Sequence, residues 1–347
     1  MLELNNFIIQ EDTSVYDAAG AINANGRQIV FVCDGMRLLA VLSDGDLRRY
    51  ILRSGDISKS VRYAANHSPL TLTIAESHNV KQLLLKNPHI RAIPILDKKG
   101  NIVSISFTEN TSVRKQTHLG VPVVIMAGGK GTRLAPYTNV LPKPLIPVGD
   151  KTITEHIIDR FISFGCDDFK MIINHKKELI KAYFSEVSCN GSLHFIEEKH
   201  FQGTGGGLKL LDGIIDKTVF MTNCDILIEA DYEDILKHHR SVGATITMVC
   251  ALKKVSVPYG TIELDEAGRP IKLVEKPEYP ILTNTGLYVI EPCFLDNIPP
   301  DTYIHITELI QQLMDKGQTV GVYPISESGW LDMGQIDELG KMVDAIN

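Results

Sequence analysis

No C-x-x-C pair occurs in this sequence, and its six cysteines (Cys33, Cys166, Cys189, Cys224, Cys250 and Cys293) lie scattered, with no histidine in zinc-ligand spacing. A zinc ribbon and a disulfide framework are therefore excluded as organising principles, and reduced thiols are expected. Positive charge is not in excess: 35 Lys+Arg stand against 42 Asp+Glu, a formal net charge of -7, with the signs interspersed. Without a broad cationic face, nucleic acid is not the expected partner, and any anionic ligand must be met locally. The start, Met1-Leu-Glu-Leu-Asn-Asn-Phe, has no basic region leading into an apolar stretch, and no later apolar run approaches a bilayer span. A soluble cytoplasmic protein with no membrane partner is the expectation. What is present is a globular composition, 44% hydrophobic and 22% charged, over 347 residues, a length that suits two domains.

The first third reads as an internal duplication. One unit runs through Ser14-Val-Tyr-Asp-Ala-Ala-Gly-Ala-Ile (helix), Ile29-Val-Phe-Val-Cys (strand), the turn Asp34-Gly35 and Leu38-Leu-Ala-Val-Leu (strand), then Ser43-Asp-Gly-Asp-Leu-Arg-Arg. The second follows the order more loosely: Asn79-Val-Lys-Gln-Leu-Leu-Leu, Ala92-Ile-Pro-Ile-Leu, Lys99-Gly100, Ile102-Val-Ser-Ile-Ser, then Thr108-Glu-Asn. This pattern, with Ser43 and Asp46 spaced as Ser-x-x-Asp, resembles a tandem pair of cystathionine-β-synthase (CBS) domains, a regulatory or oligomerising module. The resemblance implies an adenine nucleotide contacted through Ser43 and Asp46, while the second repeat departs, with Ser106 and Glu109. Asp44-Gly45-Asp46 also reads as a plain turn and helix cap. CBS pairs commonly associate, so a homo-oligomer is expected by analogy.

Polar residues 111–120 lead into the strongest buried-strand pattern of the chain, which places the boundary between domains 1–118 and 119–347. Strand-like runs at 123–126, 169–173, 219–222 and 244–249 alternate with helical stretches at 152–164 and 231–239. That alternation predicts an α/β fold with a mainly parallel mixed sheet, Rossmann-like, with ligands at the carboxyl ends of its strands.

Val121-Pro-Val-Val-Ile-Met-Ala127 ends in Gly128-Gly-Lys-Gly-Thr-Arg133, a loop whose glycines let backbone N–H groups approach a phosphate. It is neither a Walker A loop nor a dinucleotide G-x-G-x-x-G. The longer string from Ala127 through Pro136, Pro142-Lys143-Pro144 and Val148 resembles the signature of sugar-1-phosphate nucleotidyltransferases. The resemblance continues through Asn223-Cys-Asp225, Tyr259-Gly260, Glu275-Lys-Pro277, Asn284-Thr-Gly286 and Trp330-Leu-Asp-Met-Gly334. Arg133 is a forked cation suited to a triphosphate, and Lys143, fixed between two prolines, is a point charge with little freedom.

That resemblance implies a nucleotide site of Ala127, Gly128, Gly129, Gly131, Thr132, Gln202, Gly203, Thr204 and Gly205. It implies catalytic Arg133, Lys143 and Asp225, with Mg²⁺ held by Asp225 and Asp332. Tyr259, Gly260, Glu275, Lys276 and Asn284 match positions that hold the sugar phosphate. The reaction implied is in-line attack by a sugar 1-phosphate on the α-phosphorus of an NTP, which needs no protein nucleophile. Gly203-Thr-Gly-Gly206 is closer to guanylyl than thymidylyl transferases, which points to GTP. A CBS pair ahead of such a domain resembles the glucosamine-1-phosphate guanylyltransferases of bacterial legionaminic acid synthesis. Mannose- and heptose-1-phosphate guanylyltransferases are the alternatives, and a catalytically inactive nucleotide sensor is a third class.

Overall fold

The computed structural model describes residues 4–87, 90–107, 118–187, 189 and 191–334. In its described parts the chain divides into two compact units, Met1–Val113 with Leu252–Leu282, and Arg114–Ala251 with Thr283–Asn347. No helix among the described residues is long and apolar enough to cross a membrane.

In the first unit the duplication recurs as topology. Strand β1 (Ile8–Gln10) passes through helix Val15–Ala24 to β2 (Ile29–Asp34), which pairs parallel with β1 and antiparallel with β3 (Arg37–Ser43). The same order and pairings return in β4 (Leu72–Thr73), helix Val80–Lys86, β5 (Ala92–Leu96) and β6 (Ile102–Phe107). β2 is buried at five successive positions, as a continuous apolar run requires of a strand covered on both faces. One face adds Val30 and Val32 to a cluster with Val15, Ile22 and Leu42; the other adds Phe31 and Cys33 to Phe7 and Ile102.

After β3, helix Asp44–Ser54 opens with a capping box. The Asp46 N–H donates to Ser43 Oγ at 3.2 Å, and the Ser43 N–H donates back to Asp46 Oδ2 at 3.1 Å. The two residues singled out for an adenine nucleotide thus also close this helix end. Their loose counterpart Glu109 lies outside the described residues, as do 111–117 of the inter-domain segment.

The second unit begins with β7 (Val123–Ala127), then the small hairpin β8 (Pro147–Val148) and β9 (Lys151–Thr152). Thr152 caps helix Ile153–Ile162, whose Ile153, Ile157, Ile158 and Phe161 form one buried stripe. β10 (Asp168–Ile173), helix Lys177–Glu186, β11 (Ser192–Glu197), β12 (Val219–Asn223), β13 (Ile226–Ile228) and helix Tyr232–Val242 follow. β14 (Ile246–Ser256) comes next; the hairpin β15 (Thr261–Leu264) and β16 (Pro270–Val274), with the outer ends of β14 and of β17 (Glu278–Ile290), belongs to the first unit. Helix Ile306–Asp315, β18 (Val320–Ser326) and β19 (Trp330–Asp332) complete the unit.

The main sheet has the order β11-β10-β7-β12-β17-β14-β18, with β11, β10, β7 and β12 mutually parallel and β17 antiparallel to β12. A mixed sheet with a parallel half is what the strand–helix alternation predicts. β7 alternates between two cores, Val123 and Ile125 packing with Phe161, Phe220 and Tyr232, and Val124 and Met126 with Leu208, Leu295 and Leu309. The parallel strands deliver Gly128, Asn174, Glu198 and Cys224 to one edge.

Residues 252–282, which sequence alone assigns to 119–347, group with the first unit. Leu252, 4% exposed, sits in the cluster of Val15, Val30 and Leu42. The grouping depends on where the outer parts of two long strands find cover, which no local pattern encodes.

Phe161 lies 5.4 Å from Phe220 and 4.7 Å from Tyr232, centroid to centroid. Phe161→Ala should cost about 3–5 kcal/mol, read as a lower urea midpoint for the transition of the second unit.

Candidate active site

The loop after β7 is shaped by its neighbours. A Cβ at Gly128 would lie 2.3 Å from Glu198 Oε2, and one at Gly131, where φ is +66°, would meet Thr138 Cγ2 at 2.9 Å and Lys143 Cβ at 3.1 Å. Gly129 faces open space. Gly128 and Gly131 therefore let the loop close onto Glu198 and Lys143, while Gly129 leaves backbone bare to a ligand. Ala127 is buried at the strand end, and Thr132 and Arg133 are exposed on a short turn.

Lys143 begins a short turn after Pro142, and its ammonium pairs with Asp225, just past β12. Asp332 closes β19, paired antiparallel with β13 in the register Ile226↔Asp332, and the Met333 N–H donates to the Asp225 carbonyl at 2.9 Å. Lys143, Asp225 and Asp332 are thereby brought together. Burial works against the Lys143 charge, but the Asp225 carboxylate, with smaller contributions from Cys224 and Asp332, outweighs it and raises the ammonium above its ordinary value. Burial, with the Asp225 charge adding to it, raises the Asp332 carboxyl, opposed by the Gly334 N–H, Lys143 and Arg133.

Among the described residues no group of three or more His, Cys, Asp or Glu side chains could hold a metal. Two neighbouring carboxylates nevertheless fit Mg²⁺, which takes one or two protein oxygens and completes its shell with phosphate and water.

Sequence reasoning missed two residues. Lys176, itself left-handed at φ 52°, donates to the carbonyls of Thr138, Asn139 and Val140 at 3.0, 2.7 and 2.9 Å, fixing the segment that leads into Pro142-Lys143. Nothing local marks it among the many lysines. Glu198, one residue past β11, is 3% exposed. Its Oε1 receives the Gln202 N–H at 3.4 Å, Oε2 has no partner, and burial pushes its carboxyl up to about 7. The signal available was an acidic pair, Glu197-Glu198, ahead of the Gly-rich loop.

Gln202, Gly203, Thr204 and Gly205 pack against the chain before helix Ile306–Asp315. The Gly205 and Gly206 N–H groups donate to the Ile304 carbonyl at 3.0 and 3.1 Å, and Thr204 Oγ1 accepts from the Ile306 N–H. Gly203, at φ +77°, has no room for a Cβ, which would lie 2.6 Å from that carbonyl. These glycines are needed for close packing, and the amides of Gly205 and Gly206 are already engaged.

Tyr259, Gly260, Glu275 and Lys276 belong to the first unit, where Gly260 sits against Glu275: a Cβ would be 2.9 Å from its Oε2. Asn284 is on β17 in the second unit and donates to the Tyr288 hydroxyl at 2.6 Å. Gly286, at φ +93°, is pressed against the Asn223 side chain.

The family profile for nucleotidyl transferases matches residues 122–347. The chain belongs to the nucleotidyl transferase family. The chain is 32% identical over 221 residues to a mannose-1-phosphate guanylyltransferase of Mycobacterium tuberculosis, covering 62% of this chain and 61% of that protein. It is 31% identical over 237 residues to the bifunctional protein GlmU of Methanocaldococcus jannaschii, covering 65% of this chain and 55% of that one. The matched part spans less than two thirds of these relatives' length. The crystal structure of HddC from Yersinia pseudotuberculosis superposes with a TM-score of 0.52 at 21% identity, over 65% of this chain and 100% of that one, which shows the shared fold.

Glu198 carries a stability consequence. Its carboxyl ionises at the ordinary value of 4.5 when unfolded and at about 7 in the fold. Its contribution is therefore fully present below 4.5 and lost as pH rises through 7, a difference on the order of 3 kcal/mol. Glu198→Gln should melt at a higher temperature than the wild type at pH 8, with the gap closing towards pH 4, in parallel thermal scans.

Proposed function

We propose that the protein is a sugar-1-phosphate guanylyltransferase that converts GTP and glucosamine 1-phosphate to GDP-glucosamine and pyrophosphate, serving legionaminic acid synthesis. The observation that carries the choice of base is Glu198, buried beside Gly128 with one carboxylate oxygen unpartnered. An ionised carboxylate only accepts, and of the common bases guanine alone presents two adjacent donors, N1–H and the N2 amino group, to satisfy it. Adenine and cytosine place an acceptor beside their amino group, and uracil and thymine offer a single N–H.

In the proposed reaction a phosphate oxygen of the sugar 1-phosphate attacks the α-phosphorus in line, and the bond to pyrophosphate breaks. Gly128 to Thr132 cradle the phosphates through the backbone, and Arg133 binds the exposed side of the triphosphate. Lys143, its proton held by Asp225, acts as a fixed positive charge where negative charge builds, with no proton to transfer. Asp225 and Asp332 would hold Mg²⁺, which when bound neutralises phosphate oxygens and orients them for displacement. Tyr259, Gly260, Glu275, Lys276 and Asn284 orient the sugar phosphate, while Gln202 to Gly205 shape the base pocket.

The N-terminal repeats are read as a CBS pair that takes an adenine nucleotide at Ser43 and Asp46 and associates into a homo-oligomer; their repeated topology supports that reading. Mannose 1-phosphate is the second reading for the sugar, favoured by the relatives named mannose-1-phosphate guanylyltransferase.

Pyrophosphate release with Mg²⁺, measured for GTP, CTP, UTP, dTTP and ATP against glucosamine, mannose, heptose and glucose 1-phosphates, tests the whole. Selective turnover of GTP with glucosamine 1-phosphate is expected, and turnover of another pair overturns the assignment of substrates. Glu198→Gln should lower kcat/KM for GTP about 100-fold and remove its rise with pH through about 7. An unchanged GTP preference would remove Glu198 from base recognition. Asp225→Asn and Asp332→Asn should each abolish Mg²⁺-dependent turnover with circular dichroism unchanged, and Lys143→Ala should reduce kcat by about 100-fold or more.

A further inference from the structure

The segment 257–277 carries Tyr259, Gly260, Glu275 and Lys276, and its two stems are the outer ends of β14 and β17. Both stems belong to the first unit. On one stem Leu252 is buried among Val15, Ala18, Val30 and Leu42. Two residues on, Lys254 places its ammonium 3.0 Å from Asp17 Oδ1, 3.1 Å from Glu278 Oε2 on the other stem, and 4.1 Å from the centre of the Tyr16 ring. Asp17 is itself oriented by the Ser14 hydroxyl, which donates to it at 2.6 Å at the start of helix Val15–Ala24.

An exposed ion pair by itself contributes little. Here one ammonium serves two carboxylates from separate segments and an aromatic face, next to a buried leucine on the same strand. The arrangement ties three pieces of chain together: the repeat's first helix and both stems. Leu47 and Ile51, from the helix that opens at Ser43 and Asp46, lie in the same cluster as Leu252. A ligand bound at that helix start would bear on the same core.

We propose that the N-terminal repeat grips the stems of segment 257–277 through Leu252 and Lys254, and thereby sets the enzyme's affinity for the sugar 1-phosphate without altering its affinity for the nucleotide. The proposal rests on the reading that this segment's Tyr259, Glu275 and Lys276 contact the sugar phosphate. Lys254 is then a positioning residue, and the N-terminal repeat is coupled to the acceptor side of the reaction.

The test uses the full chain and the NTP and sugar 1-phosphate that the wild type turns over best. Lys254→Met, and independently Asp17→Asn, should raise KM for the sugar 1-phosphate about tenfold, with KM for the NTP and kcat within about twofold. Lys254→Arg should restore most of the sugar affinity, because a cation of similar reach regains both carboxylates. Equal rises in both KM values, or no change in either, overturn the proposal while leaving the transferase reading in place. A wild type that turns over no pair in the substrate grid overturns the reading beneath it instead.

Discussion

The buried ion pair between Lys143 and Asp225 is the constraint around which the second unit is arranged. Its side chains are only 18% and 12% exposed, and a charge placed there without its partner would be strongly destabilising. Asp225 also has Asp332 close by, so the single ammonium stands against two carboxyl groups. Much of the local architecture keeps that ammonium in position. Pro142 and Pro144 stiffen its backbone, Gly131 permits the close approach of the glycine loop, and Lys176 occupies three carbonyls of the approach segment.

Legibility from the sequence followed the range over which each feature is determined. β7 and the glycine loop were readable because a continuous apolar run and its glycines are local signals, and the strands at 168–173 and 219–223 emerged the same way. Lys143, Asp225 and Asp332 were picked out by ordered motifs, and the antiparallel pairing of β13 with β19 places the last two side by side. Glu198 was not found, because its character comes entirely from burial by Gly128, Gly207 and the Gln202 loop, none of which is next to it in sequence. The glycines at 203 and 205 carry a double meaning that sequence cannot separate. They fit a nucleotide loop, and in the fold their lack of a side chain is demanded by the chain at Ile304 to Ile306.

Glu198 is a local cost to stability. A buried carboxyl with an empty oxygen weakens the fold as it ionises, and the long bond from the Gln202 N–H to its other oxygen only partly opposes this. His239 offers a contrast. That histidine is equally buried but bonded at both ring nitrogens, to Thr247 and Glu291, and so reads as a finished structural element.

The placement of Leu252 bears on how this polypeptide can be taken apart. A protease cutting between residues 107 and 118 would sever the covalent link between the repeats and the rest of the chain. The repeats' own core would still enclose Leu252, and Asp17 would still hold Lys254, both supplied by the downstream fragment. The two fragments therefore share the first unit, whose core is complete only with both. Either piece made alone lacks part of that cluster: the repeats lose Leu252, and the downstream fragment leaves it uncovered.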